Sequence, residues 1–287
     1  FTSPTTSSIT NVNLGGFLKI NTGTYNAYIL NSAGTIEFLN VGGILNISGD
    51  NTSITGTFIR GTGKVVYLRN FGSQFVLGLN YHDLEIDENG GVKNANGDIT
   101  VHNDLTITAS GPTFNMKTHD LTVTGNFLMS NGIFSGDEGT GNSHTITGNF
   151  TLEAGNFNAE SSSYDVDGNL TLSGGTYTAS SSTLDLAGNW DDSGGSFTGG
   201  TGTVTMSASN SAIKAGKDNK FNNLIVSGTD TINSDFAVEI GGNLTVSGTL
   251  TVVPGDTLSF TGTGSTHTID GNLTVNTSSA VNSILDF

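Results

Sequence analysis

Apolar and polar residues alternate through nearly every segment of this chain, in short runs broken by glycine-containing bends. In a strand, successive side chains point to opposite faces, so Leu170 and Leu172 face one way and Asn169 and Thr171 the other. Carried forward, the same phase puts Leu184, Leu186 and Trp190 inside, with Asp185 and Asn189 outside. The runs then return. Tyr164-Asp165-Val166 comes back as Leu184-Asp185-Leu186, Gly168-Asn169-Leu170 as Gly188-Asn189-Trp190, and Tyr177 as Phe197, each 20 residues on. A fixed short period marks a solenoid, in which each repeat is one turn stacked on the last. The predicted fold is all-β, a parallel β-solenoid of about 20 residues per coil with no substantial helix.

An anchor hydrophobe after the bend can be followed as Leu18, Leu45, Leu84, Leu105, Phe127, Phe150, Leu170, Trp190, Leu224, Leu244 and Leu273. These are expected to share one inward column. Glycines 125, 148, 168, 188, 242 and 271 fall where the chain turns a corner between strands. Nine residues after the first four come Phe134, Phe157, Tyr177 and Phe197, predicted to stack as an internal ladder that Phe114 begins. A coil offers about six inward apolar side chains worth roughly 1.5–3 kcal/mol each when buried. Ordering about 20 residues costs on the order of 1–2 kcal/mol apiece in backbone entropy. One coil alone must fail; a stack that shares its core succeeds. Thirteen or so coils, roughly 4.8 Å apart, make a rod of about 60 Å.

Residues 1–13 read as a polar lead-in or edge strand, and 14–287 as one continuous solenoid. Gly61-Thr62-Gly63-Lys64-Val65-Val66-Tyr67, followed by His82–Ile86, is echoed about 140 residues later by Gly200–Met206 and Asn222–Val226, so a multi-coil block is expected to be duplicated. The chain begins at Phe1 and closes on the apolar Asn282–Phe287, which suggests an excerpt of something longer or a subunit that stacks end to end.

Composition narrows the function. A formal charge of −16 with nine basic residues argues against nucleic acid, whose phosphates need clustered Lys and Arg, and leaves divalent cations as partners. The absence of cysteine removes disulfides, thiolate metal sites and cysteine nucleophiles. No apolar run is long enough to insert in a membrane.

The phrases GTGTVTM, FNNLIV, IGGNLTVSGTLTV and DGNLTV resemble the repeats of very large secreted bacterial surface proteins. They are also similar to the coils of filamentous-haemagglutinin and autotransporter-passenger β-helices. The resemblance spans nearly the whole chain from residue 14. It implies a right-handed parallel β-helix at a bacterial cell surface, acting as a stalk, adhesin or filament whose partners are itself and surface glycans. It implies no catalytic residue and no cofactor.

Candidate chemistry is sparse. Asp165 and Asp185 lie one coil apart with Asp167 beside them, a weak Ca2+ candidate and the kind of outer carboxylate cluster that polysaccharide-cleaving β-helices use. A solvated outer face is the preferred reading, since Ala187, Thr145 and Thr147 limit the cluster to two coils and no Lys or Arg lies in 118–213. Asp192 occupies an inward slot, which suggests that its strand ends early or that Trp190 fills the space. His144 and His267 are expected half-covered at strand starts; His82, His102 and His119 stand near Asp83, Asp104 and Asp120 but on opposite faces, so zinc ligation is not indicated. Asn-X-Ser/Thr at Asn149, Asn169, Asn243 and Asn272 comes from the repeat itself rather than from glycosylation. Outward threonines pairing Thr151 with Thr171 and Thr245 with Thr274 resemble ice-binding solenoids, but Leu128 and Asp191 interrupt the row. The reading is a structural or adhesive extracellular rod. The alternatives are a polysaccharide lyase or hydrolase, a carbohydrate-binding module with outward aromatics, and an ice-binding solenoid.

Overall fold

In a computed structural model, every coil in the middle of the chain lays down three short strands separated by tight corners. One coil consists of Ser163–Val166, Leu170–Leu172 and Thr176–Thr178; Thr183–Leu186 opens the next. Each strand pairs in parallel with its counterpart one coil on, giving three lateral faces. They are called here the first face (Leu170), the second (Tyr177) and the third (Tyr164). The whole is an all-β parallel solenoid of about 12 turns with about 20 residues per coil. The structure describes residues 7–276 and 284–286, apart from 51, 88–89, 109–110, 112, 138, 140 and 180. Among the described residues no helix is long and apolar enough to cross a membrane.

The first face is the spine. Its fourteen strands follow one another in unbroken parallel order from Ser7–Leu14 to Asn272–Val275. The other two faces start later. Their ladders begin at Ser73–Val76 and Asn80–Tyr81, while Phe17–Ile20, Thr35–Phe38 and Thr57–Ile59 form a separate three-stranded sheet below. Alternation decides burial in most strands, as in Thr183–Leu186, where Leu184 and Leu186 are buried and Asp185 is half-buried; Val65, Val66 and Tyr67, buried in succession, are an exception.

On the second face Phe114, Phe134, Phe157, Tyr177 and Phe197 stand in direct register, all buried. Phe134 and Phe157 stack at 4.8 Å between ring centroids, as do Phe157 and Tyr177. Beneath Phe114 the column continues into two polar residues, Lys93 and Gln74. Both are buried. Lys93 Nζ donates to Arg69 O at 2.6 Å, and Gln74 Nε2 to Ile47 O and Gly49 O at 2.9 and 2.8 Å, satisfying the coil below where its own second-face ladder is missing among the described residues.

The anchor column needs correction. Leu45, Val65, Leu84, Leu105, Phe127, Phe150, Leu170 and Trp190 do form one column on the first face. It continues through Ile213 and Ile232, however. Leu224 and Leu244 instead follow Leu184 and Val204 up the third face, and Leu18 pairs with Ile36 in the lower sheet. The same slip affects the threonines, since Thr245 pairs with Thr268 and Thr274 with Thr251. It also affects the 140-residue echo, whose first copy lies on the first face and second copy on the third.

The reason is a hydrogen-bond device used at two corners. Entering the first face, Asn126, Asn149, Asn169 and Asn189 each offer Oδ1 to the backbone N–H one coil higher, at 2.8–3.0 Å, ending on Ala212. Asp83 and Asp104 do the same below. Entering the third face, Asn223 caps Asn243 and Asn243 caps Thr266. The phrase Asn-Leu-Thr-Val therefore labels a corner, not a face. The preceding glycine is needed for close approach, because a Cβ on Gly168 would collide with the Gly148 carbonyl oxygen. With its Oδ1 engaged, Asn169 has a structural duty that Asn→Asp can keep and Asn→Ala cannot. Asn169→Ala is expected to cost about 1 kcal/mol and to speed hydrogen exchange at the Asn189 amide, whereas Asn169→Asp leaves that amide protected.

Candidate functional site

Asp165 and Asp185 sit opposite each other on the third face, in a column bounded by Thr145 below and Thr205 above. Asp165 is exposed, and so is Asp167 at the following corner. Asp185 is half-buried, with Oδ1 shielded from water and lacking a partner. Partial burial raises the Asp165 pKa, and the carboxylates of Asp167 and Asp185 raise it further. The pair is two rungs deep. Among the described residues, no group of three or more His, Cys, Asp or Glu side chains is placed to hold a metal ion.

Asp192 is both buried and past its strand, which ends at Asp191. Trp190 does not fill the slot; it binds it. Its Nε1–H donates to Asp192 Oδ1 at 3.0 Å, Gly216 N–H donates to the same oxygen at 2.8 Å, and Asn219 Nδ2 donates to Oδ2 at 3.1 Å. Burial raises the Asp192 pKa and these three donors offset part of the rise. The carboxylate thus pins the Gly216 turn of the coil above onto the Trp190 column.

His144 is fully buried rather than half-covered. It takes the slot shared by Leu121, Tyr164 and Leu184. Its Nδ1 accepts from Leu121 N–H at 3.1 Å and its Nε2–H donates to Gly136 O at 3.0 Å. Burial lowers its pKa, against the opposing pull of Gly136 O, Asp120 and Asp137. Neutral and doubly hydrogen-bonded, it is a structural ring. His82 does reach its neighbour, with Nδ1 3.0 Å from Asp83 Oδ2, because Asp83 sits at a strand start where strict alternation lapses. His267 caps Leu244 N–H at 3.2 Å and stays half-buried.

Three groups were not singled out by sequence. Asp137 is nearly buried and accepts from Gly139 N, Gly141 N, Ser161 Oγ and Ser162 Oγ. Burial would raise its pKa, but these hydrogen bonds, led by Ser161, outweigh it and hold the carboxyl below its ordinary value. The alternating glycines at 139 and 141 were the available signal. Asp230 is fully buried, and its carboxylate oxygens find no well-formed hydrogen bond, only a weak approach from Ser211. Several aromatics point outward, most in the first third of the chain: Phe71 is 82% exposed, and Phe17, Tyr28 and Phe75 also face solvent. Phe71 lies in Asn-Phe-Gly-Ser, a turn context that alternation does not govern.

The outward threonines of the first face run Leu128, Thr151, Thr171, Asp191, Lys214, so an unbroken threonine plane is absent there. No protein-family model, characterised protein or solved structure matches the chain.

Proposed function

We propose that the chain is a structural or adhesive extracellular rod, displayed at a bacterial cell surface as part of a longer protein or of a self-assembling filament. The observation that carries this reading is the unbroken fourteen-strand spine, which joins every coil to the next over about 60 Å with one continuous core. The surface it supports is dominated by short polar side chains on alternate positions. A carboxylate pair only two rungs deep, bounded by threonines, favours binding over turnover.

Continuation by further rungs has its own support. In the coil of His267–Ile269 and Asn272–Val275, each strand has a ladder partner on one side only among the described residues, and Ile269 is 41% exposed. An edge of this kind accepts another parallel rung, from a later coil of a longer chain or from a second copy. The closing residues Asn282, Ser283 and Phe287 lie outside the described residues.

Negative-stain microscopy of the native polypeptide at high concentration tests the reading, together with incubation against acidic and neutral polysaccharides. The expected result is particles extended along one axis in multiples of about 60 Å, with no sugar released. Compact particles that never lengthen would overturn the rod. Release of oligosaccharides that disappears in Asp165→Ala would replace it with the enzyme.

A further inference from the structure

The corner between the second and third faces changes width at one point, and the change opens a cavity. Thr178 to Thr183 is a five-residue step, and Thr198 to Thr203 repeats it in register one coil higher. The next coil does not. Gly199 pairs with Phe221 and Thr203 with Asn223, so four residue steps below lie against two above. Residues 200–202 are left projecting as a ledge. Over it lies a cavity of about 430 Å³, lined among others by Thr198, Gly199, Gly200, Asp218, Lys220 and Asn222. Irregular pairing of this sort is how sheets re-aim side chains, and it is frequent beside binding sites.

The two glycines where the ledge begins, Gly199 and Gly200, are there of necessity. A Cβ on Gly199 would collide with the Lys220 carbonyl oxygen, and Gly200 adopts φ 55°, which side chains disfavour. One coil further on, Gly241 borders the cavity, and a Cβ there would press on Lys220 Cε at 2.6 Å. Glycine at 241 leaves the lysine room to lie along the wall.

The charge here runs against the rest of the molecule. On a chain of net charge −16 with nine basic residues, Lys214, Lys217 and Lys220 fall within seven positions. Lys214 pairs with Asp191 at 3.7 Å. Lys217 and Lys220 are exposed and have no ion pair among the described residues. Asp218, between them, is exposed and equally unpaired. Asn222 spends its amide N–H on Thr201 O at 2.8 Å, which fixes the side chain and leaves Oδ1 as an acceptor.

We propose that this ledge binds a sugar unit bearing a carboxylate, a hexuronate within an acidic glycan; the proposal rests on the adhesive reading above and gives it a ligand class. The Lys220 ammonium meets the sugar carboxylate in a charge-assisted hydrogen bond. Asp218, Asn222 Oδ1 and the Thr198 hydroxyl accept from ring hydroxyls. That mixture favours a glycan over an acidic peptide, which offers Asp218 and Asn222 only backbone N–H groups where a sugar ring offers several hydroxyls. The cavity is of the size of small-ligand clefts, about 300–1,000 Å³, and sits at a lateral corner of the coil.

The test is calorimetric titration of the native polypeptide with trigalacturonate, its methyl ester and hexaglutamate, at low and high salt. Trigalacturonate is expected to bind, with affinity falling as salt rises, and the ester to bind at least about tenfold more weakly. Lys220→Gln should weaken trigalacturonate about tenfold and Lys220→Glu should abolish it. Lys19→Gln, at the separate Glu37 ion pair, should change nothing. Lys220 is exposed, so its substitution leaves the core intact. Absence of binding, equal binding of the ester, indifference to Lys220→Gln, or preference for hexaglutamate would each overturn the proposal. An elongated particle that fails to bind sinks only this site, whereas a compact particle that binds sinks only the rod.

Discussion

Phe157→Ala is expected to destabilise the coils around it by about 4 kcal/mol, within the roughly 3–5 kcal/mol typical of a buried Phe truncation. Phe157 is fully buried and has five aromatic neighbours: Phe127, Phe134, Phe150, Tyr164 and Tyr177, with centroids 4.7–6.1 Å away. Its removal leaves a void bordered by stiff rings, which relax poorly into empty space. In a stacked array each coil is held mainly by its neighbours, so the loss stays local. Hydrogen exchange should show amide protection falling about 10³-fold on the strands carrying Phe134, Phe157 and Tyr177, with the strand Thr249–Val252 unchanged. Phe71→Ala, at an 82% exposed site, serves as the control and should cost little. A uniform loss along the whole chain would refute the nearest-neighbour account.

The second large effect has the opposite sign. Asp230 stands in the inward column between Ser211 and Leu250, and its carboxylate oxygens find no well-formed hydrogen bond, only the weak approach of the Ser211 backbone N–H and hydroxyl. Burial pushes its pKa up to about 6, an effect that Ser211 offsets only in part. Because the folded value exceeds the unfolded one, the native state keeps a proton that the unfolded chain has released. Stability from this group is therefore intact below about pH 4 and declines as pH rises toward 6. Above that the penalty is complete, on the order of 2–3 kcal/mol. Asp230→Val should raise stability by about 2 kcal/mol at pH 8 and by little at pH 4. Thermal melts of both proteins across that range measure it. A stabilisation independent of pH would mean that packing, not ionisation, separates the two.

Much of the architecture was legible because alternation and a 20-residue period are both direct products of stacking. The inward column from Phe114 to Phe197 follows from spacing alone, since a ring in one coil must rest on whatever lies one coil below. Assigning phrases to faces was harder. Gly-Asn-Leu arises wherever an amide side chain caps the next coil, and this chain does so at two corners, so Leu170 and Leu244 look alike and stand on different faces. Asp230 was readable in principle, because Thr229-Asp230-Thr231-Ile232 puts it in phase with a buried isoleucine. The ledge at residues 200–202 was not. It depends on how one coil's corner fits the next, and that is a property of neither coil alone.

The corner capping has a direction. Wherever Asn149, Asn169 or Asn189 acts, the lower coil supplies the oxygen and the upper coil the N–H. The strands of the spine also all run parallel, so the molecule is polar along its axis and its two end rungs are different surfaces. Two copies related by a two-fold axis would bring like ends together and break the parallel order, whereas head-to-tail contact continues it. An assembly that continues the ladder in this way is heterologous and open-ended, the geometry that makes fibres rather than closed dimers.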